Sequence, residues 1–316
     1  MTTQDGSVLD AFLTQHSNML LNTDDMFIAE KILPAVPVGP TTGKIAGYGS
    51  EHLRIMNTVH RGKGEYLEVD TQVYSSQDYE IVDHGLKEIV TENQQRNAIT
   101  PYNALLDVTM ALSSIQQLAK ERALAVSLTD PAIITQGVTL SGNSQYDNLD
   151  HADSNPIEDG ILAKATIKDA SGKIPNVAIM NWEVAENLRF HDQFVHFLGW
   201  REMRPGGLSN QELAFALGVQ QVLIGKATYN SAKRGQTDVF ANVWGNDLIY
   251  AYVSPNLQLR DKTLGVEVRK SGTSPRQIYR KPNDEPINST KITCLDNYDQ
   301  LILDATCAYL IQDVIA

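Results

Sequence analysis

Residues 156–190 read PIEDGILAKATIKDASGKIPNVAIMNWEVAENLRF, and this stretch decides the fold class. Pro156 stands where the first turn of a helix tolerates proline, and apolar residues follow it at helical spacing. Asn176 to Met180 is typical of a buried strand, and Trp182 to Phe190 predicts a second helix. The strand-like segments LGVQQVLIGKATYN and NDLIYAYVSP come next. This alternation predicts an α+β domain over about residues 155–255.

The longest predicted helix lies earlier in the chain, from about residue 100 to 128. Thr100-Pro101 opens it and Thr129-Asp130-Pro131 ends it. About 27 residues at 1.5 Å each give a rod of about 40 Å. Its apolar stripe, at spacings of three and four, is predicted to consist of Leu105, Val108, Leu112, Ile115 and Ala119.

Two segments before this helix are predicted to lie outside the core. Residues 1–40 end in the proline-rich PAVPVGP and predict an extended arm, with a short helix around Val8 to Met19, that buries little within its own chain. Residues 43–73 alternate polar and apolar positions around Arg61-Gly62-Lys63-Gly64, which predicts a long β-hairpin with a charged tip. The polar stretch that follows predicts a helix from about Gln77 to Asn93.

Composition excludes several classes of protein. The chain has 316 residues, 42% of them hydrophobic, and a formal net charge of −12. An acidic chain is poorly suited to reading nucleic acid, which requires cations that neutralise phosphates. The sequence contains no apolar run of the roughly 20 residues that a membrane span needs, and no secretory signal, so we expect it to stay in the cytosol where it is made. Cys294 and Cys307 resemble neither a disulfide framework nor a zinc knuckle.

The sequence predicts no catalytic residue, no metal site and no cofactor. His191 and His196 are five residues apart, unlike the i, i+4 pair of zinc helices, and neither a nucleophile elbow nor a phosphate-binding loop occurs. Acidic residues cluster between Asp147 and Asp159, where solvated loops are the usual outcome. A cytosolic α+β enzyme with a metal-binding loop there remains an alternative of a different class.

The order of the elements resembles the Hong Kong 97-type major capsid protein of tailed bacteriophages. Three strings carry the resemblance: the segment from Pro156 to Val195, VLIGKATYNSAKRGQTDVFANVWGNDLIYAYVSP from Val222 to Pro255, and the terminal ATCAYLIQDVIA. Each string is weakly specific, but they follow one another in the family's order along nearly the whole chain.

The resemblance implies a division of the chain into the family's parts. These are an N-terminal arm (1–40), an extended E-loop (41–75), a P-domain that includes a spine helix (76–154, with the helix at 100–128), an A-domain (155–255), and C-terminal return strands of the P-domain (256–316).

The same resemblance implies a structural protein that self-assembles into the icosahedral or prolate shell around a phage genome. We expect pentamers and hexamers, double-stranded DNA enclosed without sequence-specific binding, no membrane, and a virion capsid assembled in the host cytoplasm. The arm begins within a few residues of Met1, so a scaffold is expected as a separate protein, alongside a portal and a decoration protein. An encapsulin-type compartment and a decoration or tail protein are alternatives.

Six residues are predicted to make contacts between subunits. They belong to charged or aromatic types that are common in interfaces. They are Arg61, Lys63 and Glu65 at the hairpin tip, and Trp200, Arg201 and Arg204 in a loop of the A-domain.

Overall fold

A long helix packs against two β-sheets. The computed structural model describes residues 8–15, 26–48, 55, 74–98, 103–149, 151–199, 207–255, 262–283 and 288–316. Both helices and strands are present throughout this part of the chain, which confirms the α+β class. No helix in the described ranges is long and apolar enough to cross a membrane.

The helices follow in chain order. They are α1 (11–15), α2 (Ala29–Ile32), α3 (Glu92–Asn97), α4 (Ala104–Thr129), α5 (Pro156–Ser171), α6 (Trp182–Arg189), α7 (Asp192–Phe197) and α8 (Asn210–Leu217).

The strands are mostly short. They are β1 (Val8–Leu9), β2 (Ala35–Val38), β3 (Thr42–Tyr48), β4 (Tyr74–Glu80), β5 (Val82–Thr91), β6 (Gly137–Thr139), β7 (Val177–Asn181), β8 (Gln221–Gly225), β9 (Thr228–Asn230), β10 (Phe240–Asn242), β11 (Leu248–Ala251), β12 (Gly265–Lys270), β13 (Gln277–Asn283), β14 (Ser289–Ile302) and β15 (Ala308–Gln312).

The six-stranded sheet is built around β14, the longest strand. Its order is β1-β13-β14-β12-β2, with β5 also paired to β14. Tyr298 of β14 is registered with both Arg269 of β12 and Val82 of β5, so β12 and β5 lie on opposite edges of β14. The first half of α4 packs on this sheet, where Leu112 joins Val90, Ile278 and other buried residues.

The five-stranded sheet has the order β6-β15-β11-β7-β8 and separates two cores. Strand side chains alternate between the two faces of a sheet. Ile179 therefore packs with Leu128 of α4 on one face, while Met180 packs with Ile167 of α5 on the other. All five residues of β7 are buried, as the sequence predicts. The predicted succession of α5, β7 and α6 is also confirmed.

The long helix is confirmed, but part of its predicted stripe is wrong. It begins at Ala104, where the Asn103 side chain accepts the backbone N–H of Leu105 at 3.0 Å, and it ends at Thr129. Ile115 and Ala119 are exposed. The buried face instead carries polar residues whose hydrogen bonds are satisfied locally or by the sheet, a pattern that apolar spacing cannot detect. They include Thr109, Ser113 and Gln116.

The predicted helix from Gln77 to Asn93 is wrong. This segment forms β4 and β5, and only Glu92–Asn97 is helical. The ten residues of β5 pair with β14, and Tyr79, Ile81 and Val90 are buried. Tertiary pairing therefore outweighs the local preference of a polar sequence.

The prediction that the arm buries little within its own chain is also wrong. Ile28, Ile32 and Leu33 are each no more than 2% exposed, in the core that contains the end of α4. The proline-rich segment that follows forms β2, which pairs in parallel with β12. Pro37 is compatible with this because β2 ends the sheet order, where a missing N–H can face away from the ladder.

Candidate assembly surface

The six predicted contact residues lie outside the described residues. Arg61, Lys63 and Glu65 fall between β3 and β4, and Trp200, Arg201 and Arg204 fall between α7 and α8. The structure therefore describes the elements from which both segments emerge, and their contacts remain predictions.

The base of the predicted hairpin is paired and fixed to the six-stranded sheet. β3 and β4 are antiparallel in register from Thr42 opposite Glu80 to Tyr48 opposite Tyr74, while the rest of the predicted hairpin, residues 49–73 apart from Ile55, lies outside the described residues and stays a prediction. Gln77 donates its side-chain N–H to the carbonyl of Leu303 at 3.2 Å. The backbone N–H of Glu80 donates to the carboxylate of Asp299 at 3.0 Å. Residues 49–73 therefore leave from, and return to, a fixed base.

One aromatic side chain of α7 and one of α8 lie on the surface, and these two helices flank the other predicted contact segment in sequence. Phe197 and Phe215 are 54% and 68% exposed, with ring centroids 6.2 Å apart. The segment that returns to α8 is fixed at Leu208, whose N–H donates to the carbonyl of Arg189 at 3.3 Å. The guanidinium of Arg189 in turn donates to the side chain of Asn210 at 2.5 Å. The residues on either side of this segment are thus held by hydrogen bonds, and they include two exposed aromatic side chains.

Glu121 of α4 joins three parts of the chain at one buried carboxylate. It is 1% exposed and accepts the backbone N–H groups of Ile28 and Ala29, the latter at 2.8 Å. It also accepts the indole N–H of Trp244 at 2.6 Å. Burial raises the pKa of Glu121, although these three hydrogen bonds oppose that shift. The carboxylate therefore links the arm helix α2, the long helix and the segment before β11.

Lys120, the preceding residue, lies in a buried cluster of charges. Its ammonium nitrogen is 2.7 Å from the carboxylate of Glu267 and 3.0 Å from that of Glu30. Burial acts to raise the pKa of Glu30, but Lys120, Arg276 and Arg269 outweigh it and hold that pKa below its ordinary value.

The same cluster extends along β12 and β14. Arg269 donates to the carboxylate of Asp296 at 2.9 Å and also bonds Glu267. The guanidinium of Arg276 is buried, lies 3.8 Å from Glu30, and has no hydrogen-bond partner among the described residues. Three cations face three carboxylates, so the cluster is balanced, and it ties α2 and α4 to the sheet.

The sequence analysis did not identify Lys120 and Glu121 as buried charged residues, although the spacing of residues along α4 indicates that position 120 is buried. Gln116, Lys120, Leu124 and Leu128 follow at a spacing of four and lie on the buried face of α4. A charged residue within a buried stripe needs a partner. Here the partners lie between 90 and 147 residues away in sequence, as Glu30 and Glu267 do, so the pairing could not be foreseen.

In the acidic segment from Asp147 to Asp159, which was considered as a metal-binding loop, Asp159 makes a hydrogen bond within the protein. Asp159 accepts the hydroxyl of Tyr146 at 2.8 Å, and burial raises the pKa of Asp159. His191, one of the two histidines considered as ligands, is 1% exposed and hydrogen-bonded to Ser154 at 3.0 Å. Within the described ranges, no group of three or more His, Cys, Asp or Glu side chains is placed to hold a metal ion.

The chain is similar in sequence to two curated proteins from phages. No family model matches the chain. A curated protein named major capsid protein, from Burkholderia phage BcepMu, is 23% identical over 314 residues, which cover 97% of each chain. A second curated protein of that name, from Pseudomonas phage JBD67, is 26% identical over 231 residues, covering 71% of each chain.

Two solved structures share the fold along nearly its whole length. A phage-related protein from Bordetella bronchiseptica RB50 superposes with a TM-score of 0.74 at 23% identity, over 98% of both chains. The capsid of cyanophage P-SCSP1u gives a TM-score of 0.57 at 13% identity, over 99% of this chain and 92% of that one. At these identities the similarity shows a shared fold, and this fold extends over almost the whole chain.

Proposed function

We propose that this chain, a shell-forming capsid protein with the Hong Kong 97-type fold, is the subunit that self-assembles into the icosahedral or prolate head enclosing a phage genome. One observation carries the proposal above all others. The similarity to a curated major capsid protein extends over 97% of both chains, and the shared fold extends over 98% of this chain. The role inferred is structural rather than catalytic.

The two sheets support a division into the domains of that fold. We propose that the six-stranded sheet and the first half of α4 form the P-domain, and that the five-stranded sheet with α5 to α8 forms the A-domain. The last strand, β15, pairs with β11 inside the five-stranded sheet, so we propose that it belongs to the A-domain and that the P-domain return strands expected over residues 256–316 are β12 to β14. Residues 1–40 and 41–75 remain the proposed N-terminal arm and E-loop.

The proposed contacts between copies extend from the two fixed bases. Arg61, Lys63 and Glu65 would meet an adjacent copy from the E-loop, and Trp200, Arg201 and Arg204 from the A-domain loop. Exposed ion pairs contribute less than about 1 kcal/mol each. Their effect accumulates because every copy in a closed shell repeats them.

The partners proposed for the shell follow from its task. Pentamers and hexamers of this chain would form the surface, with a separate scaffold, a portal and a decoration protein completing the head. Assembly would take place in the host cytoplasm and the product would be the virion capsid. The net charge of −12 favours holding DNA without adhering to it, since like charges repel.

Expression of the chain alone and together with its neighbouring genes tests this proposal. Particles are separated by size-exclusion chromatography, viewed by negative-stain electron microscopy, treated with nuclease, and then assayed for protected DNA. Closed shells, or pentamers and hexamers, support the capsid role, and protected DNA in the complete system supports a genome container. Shells that retain an enzyme instead of DNA would favour an encapsulin-type compartment.

A further inference from the structure

A hairpin formed by β9 and β10 is anchored to α4 but pairs with no other strand in the described part of the chain. The guanidinium of Arg122 lies 4.2 Å from the ring centroid of Tyr229 on β9. At the base, the N–H of Val243 donates to the carbonyl of Ala227 at 3.0 Å. An isolated two-stranded hairpin is marginal in water, so these anchors explain why it holds its shape.

The tip of this hairpin is held in one conformation by hydrogen bonds of Asn230 and Ser231. The side-chain oxygen of Asn230 accepts the N–H groups of Ala232 and Val239 at 3.0 and 3.1 Å. Its amide nitrogen donates to Asp238 at 2.7 Å. The N–H of Ser231 closes the turn by donating to the carbonyl of Val239 at 2.8 Å. An element held in one shape before it meets a partner loses little conformational entropy on binding.

The hairpin exposes the kinds of side chain that binding surfaces use. Phe240 is 72% exposed and Val239 is 54% exposed, adjacent in sequence at the end of the tip. Lys226, Lys233 and Arg234 are also exposed, and none of them has a carboxylate partner among the described residues. Apolar area of this kind on an ordered hairpin, next to cations for which the described residues offer no carboxylate partner, is typical of an interaction site.

We infer that the hairpin of residues 228–242 docks on a second copy of this chain. The inference rests on the proposed function, because a shell places the same hairpin beside a neighbour at every position. Charge complementarity indicates that the binding partner is a second copy. Residues 226–242 carry three cations and one carboxylate, whereas the whole chain has a net charge of −12, so the surface of another copy is predominantly acidic.

Such a contact is heterologous, meaning that the hairpin of one copy meets a different surface of the next. Heterologous contacts close into rings when the rotation between copies permits it, as the pentamers and hexamers of a shell require. The apolar pair would supply buried area and the cations would set the orientation.

A charge-reversal variant tests the inference in the full chain. K233E/R234E inverts the tip, and K87E/K168E makes the same change in charge at exposed positions on β5 and α5. The side chains are exposed, so we expect unchanged circular dichroism and melting temperature for both. Shell yield should fall at least about tenfold in K233E/R234E and stay near the wild-type yield in K87E/K168E. Equal yields in the two variants, whether both high or both low, would overturn the inference.

Cross-linking locates the partner directly. Shells are assembled from equal amounts of ¹⁴N- and ¹⁵N-labelled chains that carry a photoreactive residue in place of Phe240. We expect cross-linked peptides that join a light chain to a heavy one; cross-links confined to chains of one label would overturn the inference. If the wild-type chain forms shells while the hairpin tests fail, the proposed function stands without this contact. If the wild-type chain forms no shell, the proposed function itself fails.

Discussion

The carboxylate of Glu121 accepts the indole N–H of Trp244 at 2.6 Å, in the interior of the protein. The same carboxylate accepts two N–H groups of the arm, from Ile28 and Ala29. One side chain of the long helix thereby fixes the arm and the segment that leads into β11. The carboxylate thereby supplements the core contacts of Ile28, Ile32 and Leu33 that hold the arm.

Replacing Glu121 should be among the most destabilising single substitutions in the chain. Glu121→Ala leaves three buried donors unpaired, and we expect the free energy of unfolding to fall by about 3 kcal/mol. Glu121→Gln keeps an acceptor and should lose less. Urea denaturation of unassembled protein measures both, with the exposed Glu183→Ala as the control, for which a loss under about 1 kcal/mol is expected. Equal losses at positions 121 and 183 would contradict the role assigned to Glu121.

The ring of Trp244 also limits what residue 225 can be. A Cβ atom at Gly225 would lie 2.1 Å from Cδ1 of Trp244, so the indole would have to move away from Glu121. We expect Gly225→Ala to destabilise the protein by about 1–3 kcal/mol, as overpacked cores do. Gly39→Ala is the matched control, since its added Cβ meets nothing within 4 Å. A melting temperature that is unchanged at position 225 would contradict the packing described.

Two lysine–carboxylate ion pairs should contribute differently to the free energy of unfolding, because only one of them is buried. Lys120 lies 2.7 Å from Glu267 with both side chains buried, whereas Lys44 lies 3.3 Å from Asp78 with both exposed. Lys120→Met removes one of the three cations of the cluster and leaves the buried Glu267 with Arg269 alone, and we expect a loss of about 3–5 kcal/mol. Lys44→Met should change the free energy of unfolding by less than about 1 kcal/mol. Similar values for the two variants would show that the cluster around Lys120 is more accessible to water than it is here.

Much of the fold could be predicted from the sequence, because helix and strand periodicity is local. Residues 156–190 showed α5, β7 and α6 in the observed order. The segment from Val82 to Thr91 could not be assigned correctly, since β5 depends on pairing with β14, some 200 residues later. The partners of Lys120 and Glu121 are also remote in sequence, as Glu30 and Trp244 are at separations of 90 and 123 residues. The predicted contact residues rest on their chemistry and on resemblance, and their positions lie outside the described residues.

The proposed A-domain should lose stability in mild acid through His191. The Ser154 hydroxyl donates to the carbonyl of Gln145, so His191 Nε2–H donates to Ser154 at 3.0 Å and Nδ1 accepts the N–H of Gln193 at 3.3 Å. This arrangement requires the neutral ring. Burial lowers the pKa of His191 below its ordinary 6.5, with Asp192 opposing in part. The unfolded chain therefore binds the proton first, and stability that is complete above about pH 6.5 is lost as pH falls below it.

The variant His191→Asn isolates this effect. Asparagine keeps a side-chain oxygen that can cap α7 but does not titrate. We expect a lower melting temperature than wild type at pH 7.5 and a smaller decrease between pH 7 and pH 5, measured by differential scanning calorimetry. Carboxylates such as Asp159 titrate in both proteins, so the difference between the two curves reports the histidine. Parallel curves would contradict the assignment.

The most direct test of the account is a cryo-electron microscopy reconstruction of whatever the full-length chain forms when it is co-expressed with its neighbouring genes. The account predicts a closed icosahedral or prolate shell, with pentamers and hexamers whose subunits show the two sheets joined by the long helix from Ala104 to Thr129. A chain that stays monomeric under every condition, with those neighbouring gene products present, would contradict the capsid role.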